Sequence, residues 1–437
     1  MRKHFEAEQA RVRRAVRDHV GRPNSIAVVK APPGSGKTLL LCELSTELVK
    51  QDKRVAIATQ TNVQSDDLCR RLASAGARPF RYVSSQSRRP DLGSSVTVFA
   101  DKSEMPRGAA IVVANTSKWG AVGIADPFDV LLVDEAWQMT WSKFIPLDRV
   151  AGRFVLIGDP GQIPPTVTVD TSRWETSPRP PHRPAPEVAL EIAESVLVEE
   201  LPASRRLPHD TVEMLQPFYE FSFGSWARPG DRRLVTARRG RGPIDRALDQ
   251  LADGSMTALT LPTPDYVCAV DQELAELAVN AVAVALGRAS EVVIADQPDG
   301  PRRRLEAAHV GVASKHRSTN EEIQRRLQAR GLGAVRVDTP ERWQGLQCDL
   351  MVALHPLSGV QAPTAFDLET GRLCVMASRH RAGLIVVSRD HIGETLENAL
   401  PVADQSIGRE DLSGRGHNQH RRFWQRLATM GRISNVA

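Results

Sequence analysis

Apolar positions along this chain fall into two alternating patterns. Short unbroken runs, Ile26–Val29, Val55–Ala58, Ile111–Val113, Val130–Val133 and Phe154–Ile157, have the length and continuity of strands buried on both faces. Between them lie stretches with apolar residues three or four apart. Phe5, Val12, Val16 and Val20 mark an amphipathic helix over 5–20 that ends at Gly21, and further helices are predicted over 37–50 and 65–75. The same alternation resumes further on, with strands at Ala258–Leu261, Val310–Ala313, Val335–Val337, Leu350–Leu354 and Leu384–Val387 and helices over 272–286 and 320–329. Strands alternating with helices imply parallel sheets covered by helices on both faces, an α/β architecture.

The pattern breaks between 163 and 186, where Ser177-Pro178-Arg179-Pro180-Pro181-His182-Arg183-Pro184 is too proline-rich for a helix or a central strand. It is expected as an exposed surface loop or linker first, and as a recognition segment second. A length of 437 residues suits two domains rather than one core. We therefore expect a first domain over 1–200, a second over 201–401, and a polar, basic tail over 402–437 with one helical patch at 420–427.

Composition adds less. The chain is 41% hydrophobic and carries 57 Lys+Arg against 52 Asp+Glu, a net charge of +5 that leans toward an anionic partner only where it is localised. Candidates are the arginine-rich run 232–242, Arg302-Arg303-Arg304, and Arg421-Arg422-Phe423-Trp424. Each is either a nucleic-acid contact or a solvated charge run, and the last is alternatively a helix docked by Phe423 and Trp424. Five scattered cysteines form no C-x-x-C pair, which argues against a zinc knuckle or disulfide framework and for a reducing compartment. No apolar stretch reaches the roughly 18 residues a membrane span needs, so a cytoplasmic protein without membrane partners is expected.

The chemistry is carried by strand ends. Ala31-Pro32-Pro33-Gly34-Ser35-Gly36-Lys37-Thr38 follows the run Ile26–Val29 and opens a helix. Glycines at 34 and 36 let several backbone N–H groups of the loop turn inward around a phosphate held among Pro33, Gly34, Ser35, Gly36, Lys37 and Thr38, and the helix dipole adds positive potential at that spot. Lys37 is placed for the β- and γ-phosphates of ATP and the Thr38 hydroxyl for Mg²⁺. Val133-Asp134-Glu135 ends another strand. Asp134 is expected to hold Mg²⁺ and Glu135 to orient and deprotonate the attacking water. After the strand Phe154–Ile157, Gly158-Asp159-Pro160-Gly161-Gln162 offers Gln162 as a γ-phosphate sensor.

In this order, and over about residues 8 to 388, the motifs resemble those of the superfamily 1 helicases, in particular the branch that includes the RNA helicase of nonsense-mediated decay and its DNA-acting relatives. The resemblance implies two tandem RecA-like P-loop NTPase domains. It makes Gln9 the reader of the adenine edge. Thr59-Gln60-Thr61-Asn62-Val63 and Ala114-Asn115-Thr116-Ser117 resemble motifs that touch the nucleic-acid backbone, with Thr61, Asn62 and Thr116 as the contacts. Arg206, within Leu201–Pro208, resembles the γ-phosphate arginine. Val310–Arg317 resembles the strand-binding motif, with Lys315 as its contact. Asp338–Gly345 resembles the coupling motif, with Gln344 as its contact, and Arg372–Arg381 the last motif, with Arg379 as the arginine finger. Because both arginines come from the second domain, turnover would require the domains to meet.

Three positions depart from the family pattern. Gln347 stands where a glutamate is usual and keeps a hydrogen bond to ribose but no charge, Ser378 replaces threonine, and Trp137 is large for its place. The short gaps between motifs leave a bare two-domain core without inserted wedges, which favours translocation over robust unwinding. The expected function is an ATP-driven motor on single-stranded DNA or RNA, moving 5′ to 3′. The alternative is an ATP-controlled switch stimulated by a protein partner, bound through the Pro-rich loop or the C-terminal tail.

Overall fold

Continuous apolar runs that cannot meet water on either face must sit in the middle of a covered sheet, and they do. The structure, a computed structural model, describes residues 1–436 apart from 175, 194, 239, 265–267, 298–301 and 400–410. The chain separates into two units, one of residues 1–160 with 164–203, the other of 161–163 with 204–437.

The first unit is built on an eight-stranded sheet. Its strands are β1 (Ile26–Lys30), β2 (Arg54–Thr59), β3 (Phe80–Tyr82), β4 (Thr97–Phe99), β5 (Ala110–Asn115), β6 (Val130–Val133), β7 (Phe154–Gly158) and β8 (Val196–Glu200), in the order β4-β3-β5-β2-β6-β7-β1-β8. Every pairing is parallel. Successive residues of each central strand point to opposite faces, and both faces are packed. Val29, Ile57, Val113, Leu132 and Ile157 meet helices α1 (Arg2–His19), α2 (Lys37–Val49) and α3 (Asn62–Ser74) through Val12, Val16, Leu40, Leu44, Leu68 and Leu72. Their neighbours Val28, Ala56, Val112, Leu131 and Leu156 meet Trp119, Trp137, Phe144 and Ala185 on the other face. Each fully buried Val or Leu here stabilises the unit by about 1.5–3 kcal/mol.

The second unit holds a six-stranded parallel sheet in the spatial order Arg336–Asp338, Val310–Ala313, Cys348–Leu354, His380–Arg389, Met256–Leu261, Ile433–Asn435. The helix Gln272–Gly287 covers one face through Leu274, Ala278 and Val282. A separate antiparallel sheet of Arg232–Val235, Glu291–Ile294 and Arg302–Arg304 also belongs to this unit. Its strands are only three or four residues long, and the outer two are rich in arginine, so the sheet does not announce itself.

Two expectations about organisation need correcting. Residues 411–436, expected as a polar, basic tail with one helical patch, are part of the second unit's core and sheet. Asp411 caps a helix over Leu412–Thr429 that buries Phe423, Trp424 and Leu427 in the second core, and Ile433–Asn435 then joins the sheet edge. The docked-helix alternative for Phe423 and Trp424 is thus the one observed, and the helix extends well beyond the expected patch at 420–427. Residues 161–163, expected in the first domain, pack with the second unit. There a Cβ on Gly161 would come within 2.5 Å of the Tyr219 ring, and one on Gly371 would come within 2.5 Å of the Ile163 nitrogen. Contacts that close admit only glycine at 161 and 371. The Pro-rich stretch is likewise less free than expected at its end. Trp141 N donates to Arg183 O at 2.8 Å, Ser142 N to Pro181 O at 2.9 Å, and Ala185 N to Met139 O at 2.8 Å as the helix Ala185–Ile192 begins.

Candidate active site

In a parallel sheet the carboxyl ends of the strands gather at one edge, which is where ligands bind. β6, β7 and β1 are neighbours, so the loops after them share that edge in the first unit. The loop after β1 starts with Ala31 N donating to Gly158 O at 2.8 Å, which ties it to the end of β7. Ser35 N donates to Pro32 O at 3.1 Å, closing a turn. Gly34 and Gly36 have φ of 71° and 91°, left-handed values that a side chain disfavours. Gly36 then serves as the N-cap of α2, without a side-chain cap, so the first N–H groups of α2 have no side-chain acceptor at the cap. Ser35 Oγ is buried without a hydrogen-bond partner. A buried orphan hydroxyl in a loop of inward N–H groups suits an anion with several acceptor oxygens.

Lys37 and Glu135 meet here, with Nζ and Oε1 3.5 Å apart and both side chains about nine-tenths buried. Glu135 has φ 52°, a left-handed conformation that costs a non-glycine residue on the order of 1 kcal/mol. Asp134 N continues the sheet by donating to Ala58 O at 2.8 Å, and the Asp134 carboxylate accepts from Glu135 N at 3.0 Å. Burial, and then the neighbouring Glu135 carboxylate, push the Asp134 carboxyl well above the usual carboxylate range. The hydroxyl of Thr38 and the carboxylate of Asp134 are hard oxygen donors of the kind Mg²⁺ takes. Gln60 Nε2 donates to the carbonyls of Asp134 and Glu135 at 3.2 and 3.4 Å, fixing the turn from the end of β2.

Trp137, unexplained in the sequence, has a packing reason. It lies over Gly158 so closely that a Cβ there would be 2.8 Å from the indole ring. The bulky ring and the glycine are therefore one fitted pair. Gln9 is buried on α1, and Pro33 is buried in the loop.

The expected strand contacts of the first unit are joined at the ends of β2 and β5. Thr61 caps α3, accepting from Gln64 N at 3.2 Å, and is exposed. Asn62 Oδ1 accepts from Asn115 Nδ2 at 2.7 Å and from Arg81 Nη2 at 3.0 Å. Asn115, which caps the helix Thr116–Ala121, and the fully buried Arg81 were not singled out. Asn115 stood inside a quoted motif, whereas nothing in the sequence marked Arg81. Thr116 is only 5% exposed, and its neighbour Ser117 is the exposed residue of that turn.

In the second unit the motif residues hold one another. Arg206 Nε donates to Gln347 Oε1 at 3.2 Å and its Nη1 to Ser378 O at 3.5 Å. Gln347, expected on a ribose, thus engages the arginine. Arg379 is 1% exposed, and its Nε donates to Val375 O at 3.1 Å and its Nη1 to Leu346 O at 3.5 Å. Its Nη2 is buried without a partner. Gln344 Nε2 donates to Ile163 O at 3.3 Å, and Gln162 is buried beside that residue. Lys315 departs from expectation. Its ammonium is buried in an ion pair with Asp367, whose carboxyl stays below the usual range, against the cost of burial, through Lys315 and Thr364. A phosphate would have to displace Asp367 to reach it.

Residues 86–170 match the AAA_11 family, described as an AAA domain. The chain is 28% identical over 165 residues to the DNA replication ATP-dependent helicase/nuclease DNA2 of Saccharomyces cerevisiae, covering 36% of this chain and 11% of that protein. It is 27% identical over 158 residues to the DNA replication ATP-dependent helicase/nuclease JHS1 of Arabidopsis thaliana, covering 34% and 12%. The matched regions are thus about a tenth of these relatives' length. Among solved structures, the Arterivirus nonstructural protein 10 helicase is similar at TM-score 0.45 and 15% identity, over 88% of this chain and 63% of that one. The PRRSV helicase is similar at 0.42 and 16%, over 86% and 54%. Fold and site together define a P-loop nucleotide-binding protein. Within that class the sequence relatives it is similar to are ATP-dependent helicase/nucleases, and these matches do not single out the nonsense-mediated-decay branch.

Proposed function

We propose that the chain is an ATP-hydrolysing motor that moves 5′ to 3′ along single-stranded nucleic acid. The observation that carries the reading is the buried approach of Lys37 to Glu135 at the lip of the glycine loop. Without phosphate, the ammonium is neutralised by the residue expected to activate water. A γ-phosphate competes for Lys37, because two or more charged oxygens outbid one carboxylate, and Glu135 is then free to accept a proton from water. The strained backbone at Glu135 holds its carboxylate in place for that step. Mg²⁺, when bound, would draw charge from the phosphate oxygens, with Thr38 and Asp134 as its holders. Arg206 and Arg379 are our candidates for balancing charge on the transferred phosphoryl group. The unused Nη2 of Arg379 supports that role, since a buried guanidinium without a carboxylate is costly to keep. The relatives' printed names, ATP-dependent helicase/nucleases of DNA replication, support DNA as the first polymer to try.

The test is displacement of streptavidin from biotinylated oligonucleotides. Motion 5′ to 3′ predicts ATP-dependent release from the 3′ end only. Release from the 5′ end would reverse the direction, and no release from either end would remove the motor.

A further inference from the structure

Among the described residues, Phe366 is the single aromatic ring among the large apolar side chains that stand exposed, at 49%. The ring is not loose. The Arg372 guanidinium lies 3.9 Å from its centroid, and Arg372 Nη1 also donates to Phe366 O at 2.9 Å. Arg372 is itself fixed by Glu341 at 3.1 Å and Glu369 at 3.6 Å, with its side chain 13% exposed. Phe366 sits in the short helix Ala365–Leu368, whose start is closed by Asp367 accepting from Thr364 N at 3.0 Å and Thr364 Oγ1 at 2.7 Å. Asp367 in turn holds Lys315. The ring is thus braced from two sides, by Lys315 after the strand Val310–Ala313 and by Glu341 of the segment 338–345.

We propose that Phe366, backed by Arg372, is a stacking platform for an unpaired base of a bound single strand. This rests on the reading of the chain as a single-strand motor. An exposed aromatic face backed by a cation offers a base a polarised surface, and stacking of this kind tolerates any sequence. Because the ring is already held, little side-chain freedom is lost on binding. The surroundings suit a polyanion, since Arg317 at the start of the helix Arg317–Ala329 is exposed beside the paired Lys315. The acids nearby, Asp367, Glu341 and Glu369, are each matched by Lys315 or Arg372.

The experiment measures binding of the full chain to oligothymidylate, oligouridylate and an abasic oligomer of equal length. Phe366→Ala should weaken binding to the base-bearing strands about tenfold and leave the abasic strand unchanged. Phe366→Trp should restore affinity and Phe366→Leu should not, with all three variants melting near the parent. Equal losses on base-bearing and abasic strands would make the role structural, and no loss where the parent binds would overturn the platform. A parent chain that binds none of the three would instead overturn the motor reading itself. Loss of a co-purifying protein from Phe366→Ala with strand binding intact would show a protein surface and equally overturn the proposal.

Discussion

The two units handle their motif residues in opposite ways. In the first, the phosphate loop and the Asp-Glu turn keep unmet needs: left-handed Glu135, glycines at positive φ, an orphan Ser35 hydroxyl and an elevated Asp134 carboxyl. In the second, Arg206 is held by Gln347 and Ser378, Lys315 by Asp367, and Gln344 by Ile163. Unmet polar groups and strain persist in a fold only where something else compensates them. The first unit is therefore built to receive a ligand, while the second is built to be stiff and to present groups already oriented. Arg379 is the exception in the second unit, because it alone of these keeps a buried, unused nitrogen.

That exception gives the largest expected effect. Arg379→Ala should lower turnover by about 10³-fold while changing ATP affinity little. Measured by steady-state kinetics and nucleotide binding, equal losses in both would place Arg379 with the stiff residues. Next comes the fitted pair in the first unit. Gly158→Ala sets a methyl 2.8 Å from the Trp137 ring and 3.0 Å from two backbone nitrogens, and should cost about 2 kcal/mol, read as a lowered melting temperature. A variant that melts like the parent would show that this region has slack.

The second unit's stiffness has a pH signature. His355 and His420 are buried with ring centroids 5.3 Å apart, near His417, Lys315 and Asp367. Desolvation depresses both, His420 to about 3 and His355 well below its ordinary value. Their stabilising contribution is therefore complete above the unfolded value near 6.5 and is lost as pH falls toward the folded one. Between those limits the unfolded state binds more protons, and stability should drop by about 1.4 kcal/mol per pH unit for each histidine. Melting from pH 7 to pH 5 checks the sign, and His420→Leu should flatten the slope. The smallest effect concerns the Lys315 pair. Asp367→Asn can still cap its helix but frees the ammonium, so the slope of log affinity for a single strand against log salt should steepen by about 0.7. An unchanged slope would mean that Lys315 never meets a phosphate.

The sequence revealed the parts of the molecule that repeat a physical rule. Runs such as Val130–Val133 are apolar on both faces, so both sheets were legible, and the glycine loop declared itself by residues that only a phosphate turn needs. What was hidden depended on distant partners. Asp367 lies 52 positions from Lys315, and Arg81 reaches Asn62 from a strand of three residues. Trp137 made sense only beside Gly158. Pairings of this kind leave no periodicity and no motif.

The most direct test of the motor is ATP hydrolysis by the purified chain, measured with and without single-stranded DNA and RNA of matched length, with Glu135→Gln as the blank. The motor reading predicts turnover strongly stimulated by one polymer and nearly abolished in the variant, which should still bind ATP and strand. Hydrolysis indifferent to both polymers, or undiminished by Glu135→Gln, would contradict it.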